Sequence, residues 1–276
     1  MKSVLTIAGS DSSGGAVIQA DLKTMCAHGI FGQSVLAALT AQNTTGVSGV
    51  MPIDTSFVGA QMDSIFTDIY PDAVKIGMLG SVEIVQTVAR SLKKYEARNI
   101  VLDPVMVATS GALLVGDDVV EAIKHYLFPM STIITPNLLE AQKLYGSDIN
   151  CEDDLRACAS AMFKMGAAAV LIKGGHNLVG ANDYLATAHI SELLKSSRIN
   201  NPNTHGTGCT LSSAIACNLA SGYELYEACA KAKSYVAGAI ADGLDLGSGS
   251  GPLNHMWQVF PSAPSAPSAT TSTPKS

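Results

Sequence analysis

The chain has 276 residues, of which 47% are hydrophobic and 14% charged, and its formal net charge at neutral pH is −6. This length allows one large α/β domain or two small ones, and the apolar content is sufficient for a large buried core. The negative charge excludes a broad basic surface for nucleic acid, so an anionic ligand requires a local device such as a helix end, a lysine or a metal ion.

Cysteine usage and hydropathy indicate a cytoplasmic protein. The six cysteines match neither a zinc site nor a C-x-x-C pair, and a disulfide framework is not expected at this size. The apolar run after Lys2 stops at Gly9, which favours a first buried strand over a signal peptide. No other stretch is apolar enough to span a membrane, so we expect no membrane partner.

Short apolar runs alternate with segments of helical periodicity along the chain. The predicted strands cover residues 3–8, 31–41, 73–76, 99–102, 132–134 and 168–172. The predicted helices cover residues 16–27, 55–69, 81–95, 117–127, a segment carrying Glu140, 152–165, 207–220 and 223–241. Residues 183–199 alternate like antiparallel strands. This order predicts one mostly parallel sheet with helices on both faces.

The predicted domain covers residues 1–260. Residues 261–276 are rich in Pro, Ser and Ala and contain no larger apolar side chain, so we expect a disordered tail there. Within the domain, the predicted strands end in small or polar residues, namely Gly9, Gln42, Gly77, Asp103, Asn137 and Lys173. Since the carboxyl ends of parallel strands share one edge of a sheet, these positions predict a single ligand crevice.

Residues 203–212 form a glycine-hinged loop that enters a predicted helix. Gly206, Thr207, Gly208 and Cys209 stand at this junction, where unpaired N–H groups and the positive helix end favour phosphate oxygens. The same field is expected to lower the pKa of the Cys209 thiol. Residues 173–175 are a second candidate anion site. Residues 247–251 are a third, for which we favour a linker.

Phosphoryl transfer requires positioning and charge neutralisation more than covalent chemistry. Asp103 and Glu140 are candidate Mg²⁺ ligands, because Mg²⁺ needs few protein ligands; the alternative for each is a turn or helix cap. Lys173 and the N–H groups of the 206–209 turn would also neutralise phosphate. Cys209 would take the proton of an attacking hydroxyl or hold that hydroxyl. Asp21 lies either on a solvated helix face or over the crevice.

Eight ordered motifs carry a family resemblance: Ala8-Gly-Ser-Asp-Ser-Ser-Gly-Gly, Gln19-Ala-Asp-Leu-Lys-Thr, Ala41-Gln-Asn-Thr, Lys75-Ile-Gly-Met-Leu, Asp103-Pro-Val-Met-Val, Thr135-Pro-Asn-Leu, Lys173-Gly-Gly-His and the 203–212 segment. Over residues 3–257 the chain resembles the bacterial hydroxymethylpyrimidine/phosphomethylpyrimidine kinases of thiamine biosynthesis, within the ribokinase-like superfamily. The resemblance implies a three-layer α/β/α sandwich, a homodimer, and ATP-dependent phosphorylation of 4-amino-5-hydroxymethyl-2-methylpyrimidine and then of its monophosphate.

The resemblance also implies roles for individual residues. The pyrimidine pocket would be lined by Gly9, Asp21, Gln42, Met78 and Val105. ATP, metal and catalytic roles would fall on Asn137 and Lys173, on Asp103 and Glu140, and on Cys209. For Gln42 the side chain itself agrees, because an amide both donates and accepts, as the edge of an aminopyrimidine requires.

The chain departs from the resembled family at three positions. Val17 stands where the family usually has the third glycine of Gly-Gly-Ala-Gly, which is expected to tighten packing near the pocket. Ser248 and Ser250 stand where the family often has histidines.

Two other functions are open. A related pyridoxal kinase would carry a second cysteine after the Asp-Pro-Val-Met strand, and residues 108–112 contain none. A non-catalytic pyrimidine-binding protein would lack Cys209, the glycines or Lys173, and all of these are present.

Overall fold

The computed structural model describes residues 1–106, 115–174 and 181–262. Its strands are β1 (Ser3–Gly9), β2 (Phe31–Asn43), β3 (Gly46–Pro52), β4 (Ala73–Ile76), β5 (Ile100–Leu102), β6 (Ile133–Ile134), β7 (Ala169–Ile172), β8 (Asp183–Thr187) and β9 (Ser191–Leu194). Its helices are α1 (Val17–Ala27), α2 (Thr55–Phe66), α3 (Val82–Lys94), α4 (Asp117–Tyr126), α5 (Leu138–Tyr145), α6 (Glu152–Lys164), α7 (Thr207–Ala220) and α8 (Leu225–Asp242).

The described strands form one sheet in the order β3-β2-β1-β4-β5-β6-β7-β8-β9. The six strands from β2 to β7 pair in parallel, and β3, β8 and β9 add antiparallel edges. The predicted mostly parallel sheet is therefore confirmed, and so is the antiparallel pairing expected between residues 183 and 199.

Two apolar cores lie on opposite faces of this sheet. Neighbouring residues of one strand feed different cores, as the two-residue period of a strand requires. In β1, Val4 joins the core with α7 and α8, whereas Leu5 joins the core with the helices α2 to α6. This three-layer arrangement confirms the α/β/α sandwich.

Local signals set the ends of α3. The Ser81 hydroxyl accepts the Ile84 N–H at 3.3 Å and so caps the first turn. Glu83 stands in that first turn and two lysines stand in the last, which complements the helix dipole at both ends.

The strand order reverses at β1. The crossover through α1 places β2 on one side of β1, and the crossover through α2 returns the chain to β4 on the other side. The carboxyl ends of β1 and β4 therefore border the crevice in which open α/β sheets bind ligands.

Strand β3 was missing from the sequence prediction. It pairs antiparallel with the end of β2, and nearly all of its residues are exposed. Since neither face of this ribbon is buried, no inside-outside alternation marks β3 in the sequence.

The folded domain extends two residues beyond the predicted boundary. The Ser262 N–H and hydroxyl both donate to the Asp242 carboxylate, at 2.8 to 3.0 Å. Residues 263–276 of the expected tail lie outside the described residues. Among the described helices, none combines the length and the apolar character that a membrane crossing requires.

We expect truncation after Ser262 to leave the melting temperature unchanged, because the removed segment has no side chain suited to a core. Truncation after Phe260 should lower it by about 3 °C, since the Asp242 carboxylate then loses its donors from Ser262. Differential scanning calorimetry of the two truncated proteins checks this, and equal melting temperatures would contradict it.

Candidate active site

The loop before α7 owes its shape to a close backbone approach. Gly206 has a φ of +82°, and a Cβ placed there would lie 1.9 Å from the Gly15 carbonyl oxygen. Only glycine satisfies both conditions. The turn after β1 and the loop before α7 therefore interlock at this point.

Asp11 holds the same two segments together through its side chain. Its carboxylate accepts the N–H groups of Ser13, Gly15 and Ala16, and His205 Nε2 lies 2.9 Å from Asp11 Oδ2. Burial alone would raise the pKa of Asp11, but the hydrogen bonds from His205 and Ser13 lower it well below its usual range. The anion loop is thus fixed to the first turn of the chain by a buried carboxylate.

The predicted phosphate-binding groups meet at the first turn of α7. Lys173 Nζ donates to Asp103 Oδ1 at 2.6 Å, and a Cβ placed on Gly208 would lie 3.3 Å from Lys173 Nζ. Gly208 therefore brings backbone N–H groups and the ammonium to one spot. Thr207 is half-buried, and its hydroxyl donates to the Thr204 carbonyl at 2.6 Å.

Asn137 and Glu140 form a capping box at the start of α5. The Glu140 N–H donates to Asn137 Oδ1 at 2.9 Å, and the Asn137 N–H donates to Glu140 Oε2 at 2.7 Å. The alternative role as helix cap is therefore correct for both residues. It leaves the second oxygen of Glu140 and the amide N–H₂ of Asn137 for other partners.

Two buried carboxylates share one lysine at this edge. Glu140 Oε2 lies 4.0 Å from Lys173 Nζ, which already donates to Asp103. Burial and the Asp103 charge raise the pKa of Glu140 to about 7, against the effect of Lys173. Lys173 stays charged, because Asp103 and Glu140 raise its pKa although burial opposes this. The cluster has one more acid than base, so a cation would complement it.

Mg²⁺ suits this donor set. Carboxylate oxygens are its preferred ligands, and one or two suffice when substrate phosphates supply the others. Residues 1–106, 115–174 and 181–262 contain no cluster of three or more His, Cys, Asp or Glu side chains that could hold a metal without such help.

Asp21 is not where the resemblance implies. Its side chain and that of Lys75 are both 0% exposed, and Lys75 Nζ donates to the two Asp21 oxygens at 2.9 and 2.8 Å. The hydroxyls of Thr6 and Ser213 donate to the same carboxylate at 2.6 and 2.7 Å. Although burial opposes the charge, Asp21 raises the pKa of Lys75. Asp21 therefore supports the crevice from below and does not line its surface.

Cys209 is a protonated thiol at neutral pH, so the expectation of a lowered pKa is wrong. Burial raises the pKa of this half-buried thiol to about 11; Lys75 opposes the rise, and Asp21 and Asp103 add to it. Desolvation thus outweighs the helix end. The N–H of Val17 is among the groups that favour the ionised form.

The other predicted pyrimidine contacts lie at the ends of β1, β2, β4 and β5. A Cβ on Gly9 would lie 2.8 Å from Met78 Cε, so these two residues meet at the reversal of strand order. Gln42 is half-buried, with its amide nitrogen 3.4 Å from His205 Nε2. Val105 is half-buried two residues beyond Asp103. Residues 175, 176 and 108–112 lie outside the described residues.

The sequence analysis assigned no role to three residues that organise the site: Asp11, His205 and Lys75. Each lies inside a motif that was recognised, but the motif does not reveal its partner. Asp11 and His205 are 194 positions apart, and Lys75 and Asp21 are 54 apart. A carboxylate two residues before a double glycine was the available signal for Asp11.

A ribokinase-like α/β/α sandwich with a helix N-terminus, a lysine and two acids around one crevice defines a small-molecule phosphotransferase. The comparison with known sequences agrees with this class. The sequence model of the phosphomethylpyrimidine kinase family matches residues 11–254, and the chain belongs to this family.

Two curated relatives show how far the similarity extends. The chain is 48% identical over 256 residues to the hydroxymethylpyrimidine/phosphomethylpyrimidine kinase of Streptomyces coelicolor, which covers 93% of this chain and 95% of that protein. It is 49% identical over 255 residues to the thiamine biosynthesis bifunctional protein of Geobacter sulfurreducens, covering 92% of this chain but 52% of that protein. The chain thus spans about half the length of the bifunctional relative.

A solved structure with the same architecture is that of an ADP complex of Bacillus subtilis pyridoxal kinase. The TM-score is 0.87 at 38% identity, covering 94% of this chain and 100% of that one. This likeness bears on the nucleotide side of the site.

Replacement of Glu140 by Gln should flatten the pH dependence of stability. The pKa of Glu140 rises from 4.5 to about 7 on folding, so the folded chain holds an extra proton between these values. The associated stability is present below pH 4.5 and is lost as the pH rises through 7. The expected loss in the wild type is about 3 kcal/mol, and Glu140→Gln should not show it.

Urea unfolding at several pH values between about 5 and 8 measures this difference. Glu121→Gln, on the exposed face of α4, is the matched control and should follow the wild-type curve. Parallel curves for the wild type and Glu140→Gln would show that Glu140 does not take up the proton.

Proposed function

We propose that the chain transfers the γ-phosphate of ATP to 4-amino-5-hydroxymethyl-2-methylpyrimidine, and then phosphorylates the monophosphate, in thiamine biosynthesis. The observation that carries the proposal is the meeting of Lys173 with the first turn of α7, where Cys209 stands. The name of the Streptomyces coelicolor relative supports the two acceptors. The ADP bound to the pyridoxal kinase supports the nucleotide.

The phosphate is held by fixed charges and dipoles. The N–H groups of Gly206, Thr207, Gly208 and Cys209 are unpaired at the start of α7 and would bind the transferred phosphoryl oxygens. Lys173, kept charged by two carboxylates, would neutralise them from the side of β7. Asn137 would contact the nucleotide through its free amide N–H₂ group.

Asp103 and Glu140 are the residues that would hold Mg²⁺. Their shared negative charge, only partly compensated by Lys173, supports this assignment. When bound there, the ion would supply further neutralisation of phosphate charge.

Cys209 would position the acceptor hydroxyl. A thiol with a pKa of about 11 carries its proton at neutral pH, and a protonated sulfur is a poor base. A loose transition state needs little removal of the hydroxyl proton before the phosphoryl group moves, so positioning is sufficient.

The acceptor ring would lie at the reversal of strand order. Gly9 allows Met78 to approach, and the two provide a flat, apolar surface for a heterocycle. The Gln42 amide would pair with the amino and ring nitrogens, and Val105 would close the far side. Pyridoxal kinase activity is the second candidate, favoured by the similarity to the Bacillus subtilis enzyme.

We expect Cys209→Ala to lower turnover by about 10²- to 10⁴-fold, while the pyrimidine still binds, because the ring contacts are elsewhere. Product analysis by mass spectrometry with ATP, Mg²⁺ and the hydroxymethylpyrimidine measures turnover, and calorimetry measures binding. The same assay with pyridoxal compares the second candidate, and omission of Mg²⁺ tests the metal.

Cys26→Ala is the control, because Cys26 is exposed on α1 and outside the site. Absence of any phosphorylated product with either alcohol would sink the kinase proposal. Normal turnover of Cys209→Ala would remove only the role of the thiol.

We further propose that the protein is a cytoplasmic homodimer. All six cysteines lie in the described part of the chain and are free thiols, as a reducing compartment favours. The β2–β3 ribbon, formed by residues 38–52, exposes the apolar side chains of Leu39, Val47, Val50 and Met51 at one edge of the sheet. A second copy of the same ribbon would cover it symmetrically.

The double replacement Val50→Lys and Met51→Lys should convert a dimer to a monomer, because both side chains are 58% exposed at the centre of β3. Sedimentation velocity at about 10 μM separates the two states by mass. Ile69→Lys, at an exposed apolar residue away from the ribbon, should leave the dimer intact. A monomeric wild type would refute the proposal.

A further inference from the structure

Helix α1 begins with a backbone conformation that its first residue disfavours. Val17 has a φ of +47°, in the left-handed region that β-branched residues rarely enter. Such a residue persists only where its surroundings hold it, and conformations of this kind cluster at functional sites. The described residues contain two other non-glycine positions with positive φ, Glu96 and Asn99, and both lie in the turn between α3 and β5.

The surroundings that hold Val17 are those of the anion loop. Asp11 fixes the peptide N–H groups of Gly15 and Ala16, the two residues before it. The Gly15 carbonyl in turn lies under Gly206, at the close approach that starts α7. The chain therefore enters α1 along a path that the site itself imposes, and Val17 takes the conformation that this path requires.

Val17 stands beside the thiol of Cys209. Its peptide N–H reaches the sulfur and favours the ionised form. The branched Cβ is only two bonds from that nitrogen, so the isopropyl group also lies near the sulfur. The residue is half-exposed, so this group is not buried in the core. It occupies volume at the place where the reacting end of the acceptor must meet Cys209.

The path itself does not need a side chain here. Glycine would adopt the same φ without strain, so the isopropyl group is the feature that costs free energy at this position. An alcohol acceptor brings one oxygen to Cys209, whereas a phosphate-monoester acceptor brings a larger, anionic group. An apolar branched group beside the sulfur disfavours the second more than the first, by volume and by desolvation.

We propose that Val17 is a specificity-determining residue that narrows the acceptor side of the site at Cys209 and favours the alcohol over the phosphate-monoester acceptor. The inference rests on the proposed function, since it concerns the two acceptors assigned there. It predicts a change in the ratio of two kcat/KM values, which a purely structural residue would not alter.

The test is a series of substitutions at Val17 assayed with both acceptors. Val17→Gly should raise the ratio of kcat/KM for the monophosphate to kcat/KM for the alcohol by about tenfold, and Val17→Ala should fall between. Val17→Thr keeps the volume and the branching, so its ratio should stay within about twofold of wild type. A Val17→Thr ratio equal to that of Val17→Gly would overturn the steric claim.

Glu96→Gly is the matched control. It removes a side chain from a position of the same φ sign, with φ of +50°, far from the site. Both glycine variants should melt no lower than the wild type, since each relieves the same kind of strain, and only Val17→Gly should change the ratio. An unchanged ratio in an active Val17→Gly enzyme would refute this inference alone, whereas no turnover of either acceptor by the wild type would refute the proposed function.

Discussion

The buried pair of Lys75 and Asp21 is the interaction on which the site depends. It lies at the point where the strand order reverses, and it joins four elements, because Asp21 belongs to α1, Lys75 to β4, Thr6 to β1 and Ser213 to α7. With four donors on one carboxylate, both charges are paired and hydrogen-bonded. Removal of one partner from such a pair costs about 3–5 kcal/mol, because the other charge is left uncompensated. The helix that carries Cys209 is thereby held against the sheet by polar contacts.

A second constraint sets the anion loop one layer above this pair. The backbone of Gly206 lies on the backbone of Gly15, and Asp11 links His205 to the same turn. Because two stretches of main chain approach this closely, neither can move without the other. The N–H groups at the start of α7 are therefore preorganised, which is the condition for electrostatic stabilisation of a transferred phosphate.

Charge is distributed unevenly along the crevice. On the ring side, at Gly9 and Met78, the surface is apolar, whereas at Lys173 two acids compete for one ammonium. This division separates recognition of a neutral heterocycle from handling of phosphate. It also explains why the thiol between the two regions keeps its proton: burial and the nearby carboxylates outweigh the helix end and Lys75.

The sequence by itself determined the layered fold, the strands from β1 to β9 except β3, and the list of groups at the carboxyl edge. These follow from local periodicity and from the rule that parallel strands end together. Only the tertiary structure decided which groups touch. It moved Asp21 from the pocket wall to a buried ion pair, raised the pKa of Cys209, and showed Val17 under strain. Burial and charge pairing depend on residues far apart in the chain, so no local pattern contains them.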